Sequence, residues 1–132
     1  PNTNLHIDGT WRPAEGNRTL PVLNPATEEV IGTVAHASKG DLDEALAAAE
    51  KGFAAWRRVS AYERAKLMRK AADIVRSRAE EIGRLMTMEQ GKPVIEAKME
   101  VLSGADIIDW FAEEARRIYG RVIPARAEGV YQ

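Results

Sequence analysis

Residues 88–93 separate two long helical patterns and constrain the fold more than any other stretch. Gly91 favours the end of a helix, because glycine reaches positive φ without a Cβ penalty. Pro93 favours the start of the next helix, because the N–H that it lacks would be unpaired in the first turn. The segment therefore predicts a corner between two helices, with Glu89 in the last turn of the first helix and Lys92 between the two.

Residues 1–35 have the pattern of small β hairpins. Asp8-Gly9 lies between two short alternating segments and is typical of a two-residue type I′ turn, in which both central residues need positive φ. A second hairpin is predicted around Asn24-Pro25, since proline fixes φ and asparagine can bond its own downstream backbone. We expect both hairpins to be thin.

Residues 38–120 have the spacing of helices. Ser38 and Ser60 each precede an acidic residue by three positions, as in the capping boxes that begin helices. Apolar residues then recur at spacings of three and four, which places them on one face of each helix. We expect the second pattern to break near Ser77. The predicted apolar faces comprise Leu42, Ala45, Leu46, Ala49, Phe53 and Trp56 in the first pattern, and Leu67, Met68, Ala71, Ile74, Val75, Ile82, Leu85 and Met86 in the second.

The last helix is predicted to run from Pro93 to about Tyr119 and to stop at Gly120. Its apolar residues lie on more than one side, so it requires packing partners on several sides. Residues 121–132 are predicted to start a strand. The expected fold is α+β and mostly helical, with small N-terminal β hairpins followed by three or four helices. The apolar residues of the last helix are Ile95, Met99, Leu102, Ile107, Ile108, Trp110, Phe111, Ala115 and Ile118.

Composition narrows the function classes. The chain has 132 residues and a formal net charge of −1, so no overall field attracts nucleic acid or an anionic membrane. It contains no cysteine, which excludes disulfides, thiolate metal sites and a cysteine nucleophile within this chain. No apolar run approaches the roughly 18 residues of a membrane span. We expect a cytoplasmic protein with no nucleic-acid or membrane partner.

The residues themselves offer no catalytic constellation. His6 and His36 lie in the β region without a second ligand at metal spacing. Ser38 is close to His36 in sequence, but a helix cap explains it better than a nucleophile does. The chain has neither a GxGxxG motif nor a P-loop.

Two carboxylate pairs lie four residues apart on the last helix, namely Glu96 with Glu100 and Asp109 with Glu113. Such pairs can perform acid–base chemistry or bind a metal. Basic residues lie nearby, so solvated ion pairs are the favoured interpretation. These neighbours are Lys98, Arg116 and Arg117.

Six short segments occur in a characteristic order and spacing, namely Ile7-Asp8-Gly9-Thr10-Trp11, Asn24-Pro25-Ala26-Thr27, Trp56-Arg57, Glu63-Arg64-Ala65, Glu89-Gln90-Gly91-Lys92-Pro93 and Trp110-Phe111-Ala112-Glu113-Glu114. Together they resemble the N-terminal part of an NAD(P)-dependent aldehyde dehydrogenase. Residues 110–120 are most similar to the succinate-semialdehyde dehydrogenase branch. One departure is Glu28, where the family commonly has glycine, and this predicts a different or slightly strained turn.

The resemblance implies a homo-oligomeric α/β parent enzyme that oxidises an aldehyde, with succinic semialdehyde as the leading candidate, using NAD or NADP. In this family a cysteine thiolate attacks the aldehyde, hydride passes to the nicotinamide, and the thioester is hydrolysed. The cysteine, the glutamate base and the nucleotide sheet belong to later parts of such an enzyme. Residues 1–132 would thus be the first part of its dinucleotide-binding region. No catalytic or cofactor-binding residue is assigned here. The isolated chain is expected to be inactive and to hold no cofactor.

The resemblance also implies two sites within this chain. Glu89, with the backbone carbonyl near Leu23, would help to bind a structural monovalent cation, since oxygen ligands suit a hard ion. The alternative is that Glu89 caps its helix or pairs with Lys92. Met99, Ser103 and Ile107 share a helical face and would line the substrate entrance, and the alternative for them is core packing.

A stand-alone helical interaction module is the alternative from another functional class. It explains the lack of catalytic residues directly. It does not explain a last helix whose apolar surface is too wide for three neighbouring helices, nor a strand that starts at residue 121.

Overall fold

The computed structural model describes residues 2–121, 123 and 125–130, which form short strands followed by four helices. The order confirms the α+β, mostly helical class. The strands are β1 (Asn2–Thr3), β2 (Leu5–Ile7), β3 (Thr10–Arg12), β4 (Thr19–Leu23) and β5 (Val30–Ala35). The helices are α1 (Lys39–Trp56), α2 (Ala61–Ser77), α3 (Ala79–Gln90) and α4 (Val94–Glu114), and a 3₁₀ turn spans Glu15–Asn17.

The strands form two small sheets. β2 and β3 pair antiparallel around Asp8 and Gly9, whose φ values of 48° and 80° confirm the predicted type I′ turn. The second sheet has the order β1-β5-β4, with β4 antiparallel and β1 parallel to β5. Sequence reasoning did not predict β1. Its two residues depend on a distant partner strand, which leaves no local signal.

The β4–β5 turn contains the residue that departs from the family pattern. Asn24 Oδ1 accepts a hydrogen bond from the N–H of Ala26 at 2.9 Å, as expected for an asparagine that begins a turn. Glu28 has a φ of 61°, and its N–H donates to the carbonyl of Asn24 at 2.7 Å. A residue with a Cβ therefore occupies the left-handed region, which agrees with the strain predicted at this position.

The predicted caps define most helix boundaries. Ser38 and Asp41 form a complete capping box, and Ser60 Oγ accepts from the N–H of Glu63 at 3.2 Å. The predicted break near Ser77 is confirmed, because α2 ends there and α3 begins at Ala79. Gly91 ends α3 with a φ of 77°. Pro93 is the N-cap of α4 rather than its first residue.

The predicted end of the last helix was wrong. α4 stops at Glu114, five residues before Tyr119. Ile118 and Tyr119 are 72% and 79% exposed, so no packing stabilises further helical turns. Among the described residues from 121 onwards, 126–129 form bends and turns and none lies in the predicted strand, and residues 122, 124, 131 and 132 lie outside the described part.

Small side chains form the core. α4 packs against α2 and α3 through a seam of buried small residues, and Val101 is the largest of them. At the α3–α4 crossing, a Cβ on Gly83 would lie 3.1 Å from the backbone nitrogen of Lys98, so the two helix backbones are in near contact. The seam comprises Ala65 and Ala72 of α2, Ala79 and Gly83 of α3, and Ala97, Val101, Ala105 and Ala112 of α4.

The large apolar residues predicted to form the core are mostly exposed instead. Phe53 on α1 is 63% exposed, and Ile74 on α2 is 49% exposed. On α4, Trp110 and Phe111 are 64% and 56% exposed. The physical reason is that alanine and glycine allow the helices to approach closely, which turns the larger side chains outward. The predicted apolar faces exist, but the described residues cover them only in part, for example at the half-buried Ile82 and Ile108.

A buried carboxylate joins the hairpins to the helices. Asp41 is 3% exposed, and its Oδ1 accepts from Arg12 Nη1 at 2.7 Å. Its Oδ2 accepts from the N–H groups of Ser38 at 2.8 Å and Glu15 at 3.1 Å. The N–H of Ser38 and the guanidinium of Arg12 hold the pKa of Asp41 well below its usual range. One side chain thus ties β3, the 3₁₀ turn and α1 together.

We expect Asp41→Asn to lower the melting temperature by roughly 5–15 °C at pH 7, because an amide cannot accept all three bonds. A carboxyl with a depressed folded pKa stabilises above its unfolded pKa, and this contribution is lost as the pH falls through the folded pKa. Thermal melts between pH 7 and pH 2 should therefore show that the difference in melting temperature between the wild type and Asp41→Asn shrinks below about pH 4. Asp43→Asn, which removes an exposed carboxylate paired with Lys39, is the control. An advantage for the wild type that persists unchanged at pH 2 would contradict this account.

We also expect the isolated chain to self-associate or to unfold partly. Each large apolar side chain left in water forgoes about 1.5–3 kcal/mol, so several of them approach the whole stability of a small domain, about 5–15 kcal/mol. Light scattering at micromolar concentration tests this, with Trp110→Gln/Phe111→Gln as a variant that should associate less. A monodisperse monomer with a sharp cooperative melt would show that the chain covers its own apolar surface.

Candidate functional site

The outer face of α4 carries the three residues predicted at the substrate entrance. Met99 and Ile107 are 63% and 57% exposed, and Ser103 between them is exposed as well. They lie at i, i+4 and i+8, so one face of the helix presents all three. The seam residues Ala97 and Val101 occupy the opposite, buried face. Within the described residues, the three side chains therefore do not pack into a core.

The corner between α3 and α4 lies against the β4–β5 turn. A Cβ on Gly91 would lie 3.0 Å from Pro25 Cγ, which places the end of α3 beside this turn. Leu23 precedes Pro25 by two residues, and Glu89 lies in the last turn of α3. The segments that carry the two predicted cation ligands therefore lie beside each other at Gly91 and Pro25.

Lys92 does not pair with Glu89. Its ammonium group forms an ion pair with Glu100 on α4 instead. Among the ion pairs of the described residues, none involves Glu89. The alternative in which Glu89 pairs with Lys92 therefore does not match the ion pair that Lys92 forms.

Arg76 on α2 joins two aspartates of α4. Its Nη2 lies 2.8 Å from Asp106 Oδ1 and 2.6 Å from Asp109 Oδ2, and its Nη1 lies 3.5 Å from Asp73 Oδ1. The hydrogen bonds to Asp106 and Asp109 raise the pKa of the Arg76 guanidinium. Arg76 and Asp109 are only about one-third exposed, so this contact belongs partly to the helix interface.

The ion pairs predicted for Asp109 and Glu113 are present, but their partners are arginines of α2 rather than the neighbouring Arg116 and Arg117. Glu113 pairs with Arg69 on α2 at 2.8 Å, and Asp109 pairs with Arg76. A signal was present in the sequence, because each helix carries charges seven residues apart. Antiparallel packing matches Arg69 and Arg76 with Glu113 and Asp106, but that pairing becomes visible only once the two helices are known to be neighbours.

Ion pairs also involve Glu100 of the other carboxylate pair and its neighbour Lys98. Glu100 pairs with Lys92, and Lys98 reaches back to Glu80 on α3 at 2.9 Å. The hydrogen bond from Lys98, followed by one from Arg84, lowers the pKa of Glu80. These carboxylates thus lie beside cations, which suits a structural role better than general acid catalysis.

The histidines belong to the β region, as predicted. His6 packs against Trp11 across the first hairpin, with ring centroids 4.7 Å apart. The N–H of His36 donates to the carbonyl of Arg18 at 2.8 Å. In the part of the chain that the structure describes, no three histidine, aspartate or glutamate side chains cluster as a metal site. That part also contains no helix of the length and hydropathy needed to cross a bilayer.

A sequence model of the aldehyde dehydrogenase family matches residues 11–132. Among curated proteins, the 4-(hydroxymethyl)benzenesulfonate dehydrogenase TsaD1 of Comamonas testosteroni is 47% identical over 122 residues. The match covers 92% of this chain but 26% of that protein. The chain therefore spans about a quarter of the length of such relatives.

Solved structures share the fold. A succinate-semialdehyde dehydrogenase from Burkholderia pseudomallei superposes with a TM-score of 0.91 at 37% identity, over 95% of this chain and 26% of that one. PnpE in complex with nicotinamide adenine dinucleotide superposes with a TM-score of 0.91 at 33% identity, with the same coverage. The arrangement of short strands and four helices is thus that of the corresponding part of these larger proteins.

Proposed function

Because the chain belongs to the aldehyde dehydrogenase family, we propose that it is the N-terminal part of an enzyme that oxidises an aldehyde to the carboxylic acid with NAD or NADP. The substrate we propose is an aldehyde that carries an acidic group, with succinic semialdehyde as the first candidate. A homo-oligomeric assembly and a cytoplasmic location belong to the same proposal. The observation that carries it is the family match over residues 11–132, which also argues against a stand-alone interaction module.

The relatives support the substrate class. The name of TsaD1 refers to a sulfonate, and that of the Burkholderia enzyme refers to succinate semialdehyde, which carries a carboxylate. Both molecules combine an acidic group with a carbon at the oxidation level of an alcohol or an aldehyde. The extended similarity of residues 110–120 to the succinate-semialdehyde branch points in the same direction.

The cofactor is assigned to parts of the enzyme outside this chain. NAD is present in the related structure of PnpE, which supports a nicotinamide cofactor that accepts hydride from the substrate. The 132 residues contain no GxGxxG motif and no cysteine, so they fit neither a dinucleotide cradle of that type nor the nucleophile. The role proposed for this chain is to shape the approach to the reactive centre and to stabilise the region around it.

We propose that the outer face of α4 borders the substrate entrance. Met99 and Ile107 would exclude water with apolar surface, and Ser103 between them would offer one hydroxyl to the passing substrate. Such a lining, mostly apolar with a few polar groups, is typical of small-molecule sites. The support is the shared exposure of the three side chains on the face opposite the buried seam.

The proposal predicts that Ser103→Trp in the full-length enzyme raises KM for succinic semialdehyde roughly tenfold, with little change in KM for the nucleotide, because an indole would narrow the entrance. Formation of reduced nicotinamide measures both. Ser77→Trp, at the exposed end of α2, is the matched control. The isolated 132-residue chain should form no product. Unchanged aldehyde kinetics in Ser103→Trp would favour core packing of this face, and no oxidation of acidic aldehydes by the full-length wild type would overturn the proposed activity.

We also propose that Glu89 and the carbonyl of Leu23 are two ligands of a structural monovalent cation in the full-length enzyme. The contact between Gly91 and Pro25 supports this, as does the pairing of Lys92 with Glu100 rather than with Glu89. A carboxylate and a backbone carbonyl suit a hard cation, and further ligands would come from outside this chain.

If this is correct, potassium or sodium ions should raise the melting temperature of the full-length wild type by a few degrees relative to choline chloride, because an ion that binds the folded state stabilises it. Glu89→Gln should lose most of this rise, and Glu96→Gln, on an exposed part of α4, should keep it. A high-resolution density map of the full-length enzyme that shows only water within bonding distance of Glu89 would count against the cation.

A further inference from the structure

The ion-pair cluster around Arg76 lies beside the outer face of α4. Asp106 follows Ser103 by three residues and Met99 by seven, so it is their neighbour on the helix surface. Its side chain is 74% exposed, which places a carboxylate at the rim of that face. Arg76 reaches this carboxylate from α2 and binds Asp109 with the same nitrogen. The charge at the rim is therefore set by a residue on another helix.

The charges of the cluster do not cancel completely. Three aspartates surround one guanidinium, at 2.8 Å from Asp106, 2.6 Å from Asp109 and 3.5 Å from Asp73. With Arg76 present, the formal charge is −3 + 1 = −2, and without it the charge is −3. The neighbouring Arg69–Glu113 pair is neutral as a unit and does not replace the lost charge.

We infer that Arg76 determines specificity at the entrance by partly offsetting the negative charge of Asp106 and Asp109, so that aldehydes with an acidic group can pass the α4 rim. The inference rests on the proposed function, since it needs the outer face of α4 to border the entrance. Arg76 does not touch the substrate in this arrangement. It acts through the field of the two aspartates, which would otherwise repel a carboxylate or a sulfonate.

The size and salt dependence of the effect follow from electrostatics. The energy between two unit charges falls with distance and dielectric constant, so one extra rim charge about 10 Å from an anionic substrate changes binding only a few-fold. Salt screens exposed charges beyond roughly 10 Å at 0.1 M, so the effect should shrink as salt is added. The KM for an uncharged aldehyde should not change. Loss of helix packing would instead affect both kinds of substrate.

The test compares Arg76→Gln with Arg76→Lys in the full-length enzyme, using succinic semialdehyde and butanal as acidic and neutral aldehydes of equal chain length. We expect Arg76→Gln to raise KM for succinic semialdehyde about two- to fivefold at low salt, with kcat and the KM for butanal unchanged. Arg76→Lys should remain close to the wild type. In about 0.5 M sodium chloride the difference between Arg76→Gln and the wild type should disappear.

Removal of the carboxylates provides a second, independent arm. Asp106→Asn in the otherwise wild-type enzyme should lower KM for succinic semialdehyde relative to butanal, and its exposed position makes it safe for folding. Adding Asp106→Asn and Asp109→Asn to the Arg76→Gln variant should lower its raised KM for succinic semialdehyde again. The Asp106→Asn variant tests the inference even if Arg76→Gln fails to fold.

Two outcomes would overturn the inference. An equal rise in KM for both aldehydes would mean that Arg76 only holds α2 against α4, and an unchanged ratio in both Arg76→Gln and Asp106→Asn would mean that the rim charge has no influence. Failure of the proposed function looks different, because the wild-type enzyme would then prefer butanal. If the wild type prefers succinic semialdehyde and the variants keep the same ratio of KM values for the two aldehydes, only the inference about Arg76 is overturned.

Discussion

Close packing of helix backbones along a seam of alanine and glycine is the constraint on which the rest of the structure depends. Gly83 allows α3 to approach the backbone of Lys98, and the buried alanines of α2 and α4 continue the same close contact. Because small residues fill the inside, most of the large apolar side chains are exposed. The seam therefore creates the outer faces that the proposed enzyme would use to contact its substrate and its remaining parts.

Charged side chains fix the relative positions that the seam allows. Arg76 and Arg69 bind acids of α4 from α2, while Lys98 binds Glu80 of α3. Alanine side chains are too short to interlock between helices. Ion pairs at the edges of the seam therefore oppose sliding and rotation of one helix along another. Exposed pairs contribute little stability individually, and their main effect here is on helix position and on local charge. Asp41 plays the equivalent role between the hairpins and α1, where burial makes the contact stronger.

The sequence predicted local structure well, because caps and turns depend on residues that are neighbours in the chain. Asp8-Gly9, Ser38 with Asp41, and Gly91 each occupy the predicted conformation. Burial was predicted poorly. Amphipathic spacing shows which side of a helix is apolar, but it cannot show that a narrow row of alanines, rather than Leu67 or Ile74, will face the neighbour.

The candidate sites show the same division between local and distant information. Helical spacing alone predicted that Met99, Ser103 and Ile107 share a face. The link from Arg76 to Asp106 joins residues 30 positions apart, so no local pattern reveals it. Glu89 and Leu23 were paired through family resemblance alone, and their pairing stays a prediction.

The central claim is that the outward face of α4 meets the aldehyde in the complete enzyme. A crystal structure of the full-length protein with succinate, the product of succinic semialdehyde oxidation, tests it most directly. The account predicts side-chain atoms of Met99, Ser103 and Ile107 within about 4.5 Å of the bound molecule or of the channel that leads to it. A structure in which other protein segments cover this face completely, with succinate bound elsewhere, would contradict it.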